Sequence, residues 1–109
     1  MVDANVRLGV AVRGSVAEYH LGELFSREPA IERFEPDMIF VSAGFDAHVA
    51  DDMSMVSLTD ADYRWVAEQI VAVASGSASG RIVSSLEGGY ETNSLARCVE
   101  AHIRVLMGM

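Results

Sequence analysis

Apolar and polar positions along the chain follow two rhythms, one for strands and one for helices. Residues 38–41, Met-Ile-Phe-Val, form a short unbroken apolar run directly after the turn signal Glu35-Pro36-Asp37. A run of that kind predicts a buried strand over 38–42. Arg81-Ile82-Val83-Ser84-Ser85-Leu86 predicts a second strand. Between them Tyr63, Val66, Ile70 and Val73 recur at helical spacing, which predicts an amphipathic helix. Thr59 supplies its N-cap, and Asp60 and Asp62 suit the positive end of the helix dipole. Gly76-Ser77-Ala78-Ser79-Gly80 reads as a flexible connection. A last helix is predicted from about Asn93 to Met107, with Leu95, Cys98, Val99, His102 and Leu106 on one face.

The first third of the chain carries a less regular pattern. Asn5 to Val12 alternates imperfectly, as either a short strand or an extended lead-in. Ser15 with Glu18 three residues on has the form of a capping box. It predicts a helix whose apolar stripe is Leu21, Leu24 and Phe25. Pro29 then starts a second short turn ending near Phe34.

Strand, helix, strand, helix predicts an α/β fold in which the crossover makes the two strands parallel. The loops that leave the carboxyl ends of both strands, 43–58 and 87–92, then share one edge of the sheet. Open α/β sheets bind their ligands at that edge. Asp46 and Tyr90 are thereby brought to the same end of the molecule, although they are far apart in sequence.

Composition narrows the function classes. The 109 residues make one domain at most, read as a single partial domain over 1–109, and 50% are hydrophobic, as a packed core requires. A net charge of −8 argues against nucleic acid as a partner, because phosphate contacts need clustered Lys and Arg. The one cysteine, Cys98, has no partner for an internal disulfide, and no apolar run has membrane-spanning length. With no signal-peptide pattern, these features place the chain in the cytoplasm.

The chemistry concentrates in Ser42-Ala-Gly-Phe-Asp-Ala-His-Val-Ala-Asp-Asp52. Asp46 at a strand end is either a metal ligand or an aspartate that bonds the backbone of its own loop. A catalytic zinc takes about three protein ligands and keeps one position open. Asp46 and His48 supply two at most, and Asp51 is a further candidate. The loop lacks the pattern of an EF-hand. Tyr90 follows Gly88 and Gly89, so its hydroxyl either lies in water or donates to a developing oxyanion. His102 fits a core histidine, His20 a solvent-facing one and Cys98 a small core residue. No phosphate loop and no GxSxG elbow is present.

Three stretches taken together, Pro36-Asp-Met-Ile-Phe-Val-Ser-Ala-Gly-Phe-Asp-Ala-His48, Leu58-Thr-Asp-Ala-Asp-Tyr63 and Leu86-Glu-Gly-Gly-Tyr90, resemble the zinc-dependent histone deacetylase superfamily. That superfamily includes acetylpolyamine amidohydrolases. The likeness runs from Glu18-Tyr19 and Ile31-Glu32-Arg33-Phe34 to the terminal helix. It implies a three-layer α/β/α sandwich with parallel strands, of which this chain would be the C-terminal βαβα portion. It also implies hydrolysis of an acetyl-amide by a zinc-bound water. By motif, Asp46 matches a zinc ligand and Tyr90 the tyrosine that polarises the acetyl carbonyl. Asp51 matches the aspartate of an Asp-Pro pair, with Asp52 standing where many members have proline. Met53 matches a residue lining the acyl-lysine channel, and Gly88 and Gly89 shape the pocket beside Tyr90. Asp46-Ala47-His48 has the form D-x-H, but the family's D-x-H ligand pair belongs to an earlier loop. The match therefore puts Asp46 on the metal and leaves His48 beside it.

The family's pair of adjacent histidines and its earlier D-x-H loop do not occur in these 109 residues. Two readings follow. In the first, the chain is the C-terminal portion of a zinc amidohydrolase, inactive alone and acting on an acetylated amine when completed by an N-terminal portion. In the second, it is a stand-alone, non-catalytic α/β module. Such a module self-associates through an exposed sheet edge or apolar face. A third, weaker arrangement is a separate metal site built from Asp46, His48 and Asp51.

Overall fold

The computed structural model describes residues 6–12, 15–20, 35–52 and 57–109, with side chains in the last two stretches apart from Ser77. Four strands form one sheet in the order β2-β1-β3-β4. They are β1 (Val6–Val12), β2 (Ser15–His20), β3 (Met38–Gly44) and β4 (Ile82–Gly88). Helix α1 (Asp60–Ser77) connects β3 to β4, and α2 (Thr92–Leu106) follows β4. β3 and β4 are parallel, in register from Ile39↔Ile82 to Ala43↔Leu86. The βαβα unit expected from the sequence is therefore present. The sheet is mixed, because β1 runs antiparallel to both β2 and β3.

The core lies between β3 and the two helices. Ile39, Val41 and Ala43 alternate onto the helical face of β3, as a period of two dictates. They meet Tyr63, Val66, Ile70 and Ala74 of α1 and Cys98 of α2. Burying an isoleucine such as Ile39 or Ile70 contributes about 1.5–3 kcal/mol. Both helices sit on this one face, so the described residues supply two of the three layers of an α/β/α sandwich. On the opposite face Phe40 and Val83, partners in the β3–β4 register, are exposed.

Both ends of α1 explain its extent. Thr59 Oγ1 accepts from the Asp62 N–H, and Asp62 Oδ2 accepts from the Thr59 N–H at 2.8 Å, which closes a capping box. At the other end the helix continues through Gly76 and Ser77, where the sequence pattern reads as a linker. It stops only when Ser79 and Gly80 turn to positive φ and the Gly80 N–H bonds the Ala74 carbonyl at 2.9 Å. That reach of six residues is the Schellman closure, and glycine adopts its left-handed backbone without strain. Ala78, buried at the end of the helix, anchors the turn in the core.

Residues 15–20 differ from the expected helix. They form a strand in which Val16 pairs with Ala11 and Tyr19 with Leu8 of β1. Backbone pairing with β1 along the whole of 15–20 overrides the local Ser15–Glu18 capping signature. Leu21, Leu24, Phe25, the turn after Pro29 and the channel candidate Met53 lie outside the described residues. Among the described residues no helix is long and apolar enough to cross a membrane.

Candidate active site

The parallel register breaks at the carboxyl end of the strands. Ala43 pairs with Leu86, but Gly44 pairs with Gly88, so Glu87 is passed over. The irregularity draws the start of the β4–α2 loop across the end of β3, and the Phe45 N–H bonds the Gly88 carbonyl at 2.7 Å. Asp46 follows immediately, half-buried, with its carboxylate laid against Gly88. A Cβ on Gly88 would lie 3.0 Å from Asp46 Oδ1 and 3.2 Å from its Cγ. Glycine at 88 thus makes room for the carboxylate. At Gly89 the φ of 141° excludes other residues, and a Cβ would meet Leu95 Cδ1 at 2.6 Å.

The same two loops are tied a second time by Asp51. This buried aspartate accepts the backbone N–H of Tyr90 at 2.7 Å and that of Glu91 at 3.1 Å, both on Oδ2. Tyr90 therefore leaves a fixed backbone, while its own side chain is 60% exposed. Glu91 starts α2 as its N-cap and accepts the N–H groups of Asn93 and Ser94. The Ser94 N–H is the main reason its carboxyl lies below the ordinary value.

His48 is held away from this centre. Its Nδ1 accepts the Ala50 N–H at 3.0 Å, and its Nε2 lies 2.6 Å from Asp60 Oδ1. With Nδ1 occupied as an acceptor, the proton sits on Nε2 and is donated to Asp60. The ring stacks parallel to that of Tyr63, whose hydroxyl accepts the Ala47 N–H at 3.1 Å. Burial pushes the Tyr63 hydroxyl well above the ordinary tyrosine range. Asp60 also receives Arg97 Nε at 2.8 Å on Oδ2. Arg97 first, and His48 second, hold its carboxyl at about 2. Loop, α1 and α2 are thereby clamped together through one carboxylate.

Three donor atoms, His48 Nε2, Asp60 Oδ1 and Cys98 Sγ, lie within 4.8 Å of one another. They do not suit a metal. Coordination at Nε2 would move the imidazole proton to Nδ1, where it would face the Ala50 N–H. Burial, then the Asp60 charge, pushes the Cys98 thiol up to about 12, which disfavours the thiolate a metal needs. The geometry is that of a hydrogen-bonded clamp.

The candidates from the sequence thus separate. Asp46, Gly88, Gly89, Asp51 and the Tyr90 backbone converge at one end of the sheet. His48 does not join them, and Asp51 is engaged with backbone N–H groups. Of the grouping Asp46, His48 and Asp51, His48 is bonded to Asp60 and the Ala50 N–H, and Asp51 to the Tyr90 and Glu91 N–H groups. The described residues do not fit a complete catalytic zinc centre, which takes about three protein ligands, since at this sheet end Asp46 is the one candidate carboxylate not engaged with backbone N–H groups in the hydrogen bonds described. His102, expected as a core histidine, is half-buried, bonded through Nε2 to Ser84 Oγ at 2.8 Å and edge-on to Phe45. Burial lowers its basicity. The roles of Asp60 and Arg97 escape sequence reading, because Asp60 reads only as a first-turn acid. Tyr63 reads only as part of an apolar stripe.

Residues 3–106 match the family model described as the histone deacetylase domain. The chain is 44% identical over 82 residues to "Type-2 histone deacetylase 2" of Dictyostelium discoideum, covering 72% of this chain and 5% of that protein. It is 36% identical over 81 residues to "Histone deacetylase-like amidohydrolase" of Pseudomonas aeruginosa, covering 74% and 21%. The solved histone deacetylase Clr3 superposes with a TM-score of 0.68 at 33% identity, over 82% of this chain and 15% of that one. The chain therefore spans only a fraction of the length of these relatives.

Proposed function

Because the chain belongs to the histone deacetylase family, we propose that it supplies the C-terminal portion of a zinc-dependent amide-hydrolysing site. The substrate class is an acetylated amine, either acetyl-lysine or an acetylpolyamine. One observation carries the reading. The Asp46 carboxylate lies against Gly88 and the Asp51 bridge fixes the Tyr90 backbone, so both stand at the same sheet end. A strand-end carboxylate is the kind of oxygen donor that zinc accepts. A tyrosine hydroxyl donates a hydrogen bond to an oxygen that gains negative charge. The half-buried Asp46 and the exposed Tyr90 side chain suit those two tasks.

Hydrolysis of an amide also needs a general base and a full ligand set. The described residues contain neither, so the chain on its own is an inefficient catalyst. The missing parts are a pair of adjacent histidines and a D-x-H loop, contributed by a preceding segment. Reading the coding DNA upstream of the Met1 codon tests this. An in-frame segment encoding both motifs supports the proposal, and a stop codon close upstream contradicts it.

A further inference from the structure

His48 takes no direct part in the proposed chemistry, yet it is only 4% exposed and is bonded through both ring nitrogens and its carbonyl. Two of these bonds hold the turn that carries Asp51. Nδ1 accepts the Ala50 N–H at 3.0 Å, and the His48 carbonyl accepts the Asp51 N–H at 2.9 Å. The third leaves the loop, from Nε2 to Asp60 Oδ1 at the start of α1. Asp60 Oδ2 in turn takes the Arg97 guanidinium of α2. The imidazole also stacks on the Tyr63 ring at an interplanar angle of 6°.

On its other side Asp51 accepts the N–H groups of Tyr90 and Glu91, and Glu91 is the N-cap of α2. The bonds therefore close a ring, from Asp51 through His48, Asp60 and Arg97 and along α2 back to Glu91. His48 is the member that joins the loop to both helices. A 48–51 turn released from its imidazole is free to carry the Asp51 carboxylate away from the Tyr90 N–H. Such placement matters, because a shift of about 1 Å in a reacting group can cost about 10²-fold in rate.

We propose that His48 is a positioning residue for Tyr90. Through the 48–51 turn and its brace to Asp60 it seats the Asp51 carboxylate, and so sets the backbone from which the Tyr90 hydroxyl reaches a substrate carbonyl. The role rests on Tyr90 acting at an acetyl carbonyl as proposed. The coupling between His48 and the Tyr90 backbone does not.

Amide hydrogen exchange of the 109-residue chain, followed by NMR under native conditions, tests that coupling. The Tyr90 and Glu91 amides report the Asp51 bridge, and the Ile70 and Ala74 amides report the middle of α1. Asp51→Ala removes the acceptor and sets the full size of the effect. His48→Ala should speed exchange at Tyr90 and Glu91 by about tenfold or more, and at Ile70 and Ala74 by clearly less. His48→Asn keeps an acceptor where Nδ1 stands but does not reach Asp60, whereas His48→Gln reaches Asp60 and gives up the turn bond. Each should restore part of the protection lost in His48→Ala. If His48→Ala does not fold, His48→Asn is compared directly with the natural chain and should show the same selective loss, smaller in size. Tyr90 and Glu91 amides indifferent to His48 overturn the proposal. So does an equal acceleration at all four amides, which is what a merely stabilising residue would give. The rates are read without zinc, substrate or activity, so failure of the hydrolase reading leaves them in force, and uncoupled amides defeat the positioning role even in an active deacetylase.

Discussion

Asp51 Oδ2 holds the backbone N–H of Tyr90 at 2.7 Å, so a residue within one loop fixes the backbone of the other. The bond spans 39 positions of sequence and is shared with the Glu91 N–H. A buried carboxylate is stable there because two N–H groups replace the water it has lost.

Asp51→Ala removes the acceptor and leaves two backbone donors without that partner. The expected cost is about 1.5–3 kcal/mol of stability. Asp51→Asn keeps a carbonyl oxygen in place and should cost less. Urea unfolding of the three proteins checks the order, and equal losses for alanine and asparagine would show that the oxygen is not what matters.

The two glycines of the loop should respond differently to alanine. At Gly89 both the φ of 141° and the 2.6 Å approach to Leu95 Cδ1 oppose a Cβ, and the expected loss is about 2–4 kcal/mol. At Gly88 the obstacle is the Asp46 side chain, 3.0 Å away, which can turn aside. Gly88→Ala should therefore be the milder change in stability. Denaturant midpoints compare them, and a larger loss for Gly88→Ala would contradict the geometry.

Asp60 makes stability fall in acid. Its carboxyl titrates near 2 when folded, against an ordinary 3.8, so in that interval the unfolded chain binds a proton that the folded one does not. Stability is full above the unfolded value and is lost as pH drops from about 5 toward 2. Part of the carboxylate faces solvent, which moderates the effect. In Asp60→Asn the corresponding part of the acid slope should vanish when unfolding is followed between those pH values.

Cys98 should resist thiol reagents. Its side chain is fully buried and its thiol is pushed up to about 12, so the reactive thiolate is scarce. Reaction with an aromatic disulfide reagent should be slow in the native protein and fast in urea. Rapid native labelling would mean that α2 opens readily from α1.

Much of the fold is legible in the sequence, where the signals are local. Met38-Ile-Phe-Val marks β3, Thr59 with Asp62 caps α1, and Leu95, Cys98 and Val99 place the inner face of α2. The strand at 15–20 is not legible, since its partner β1 is chosen by tertiary pairing and the Ser15–Glu18 signature points elsewhere. The run Gly76-Ser77 reads as a linker because the Schellman closure at Gly80 is set by a bond back to Ala74. In the site, Asp46 and Tyr90 are legible through topology and motif. The His48–Asp60–Arg97 clamp is not, because it joins three elements through residues that look ordinary in their own segments. Asp51 stands out as a conspicuous loop acid, but its two backbone partners appear only in three dimensions.

The central claim is that Asp46 and Tyr90 belong to a working deacetylase centre once the rest of the domain is present. It is tested most directly by grafting. The matching segment of the Pseudomonas aeruginosa histone deacetylase-like amidohydrolase, to which this chain is 36% identical over 81 residues, is replaced by the corresponding residues of this chain. Release of acetate from an acetyl-lysine peptide is then measured. The expected result is an active chimera in which Asp46→Ala and Tyr90→Phe each lower kcat/KM by about 10²-fold or more. A folded chimera whose activity is unchanged by both substitutions would contradict the claim.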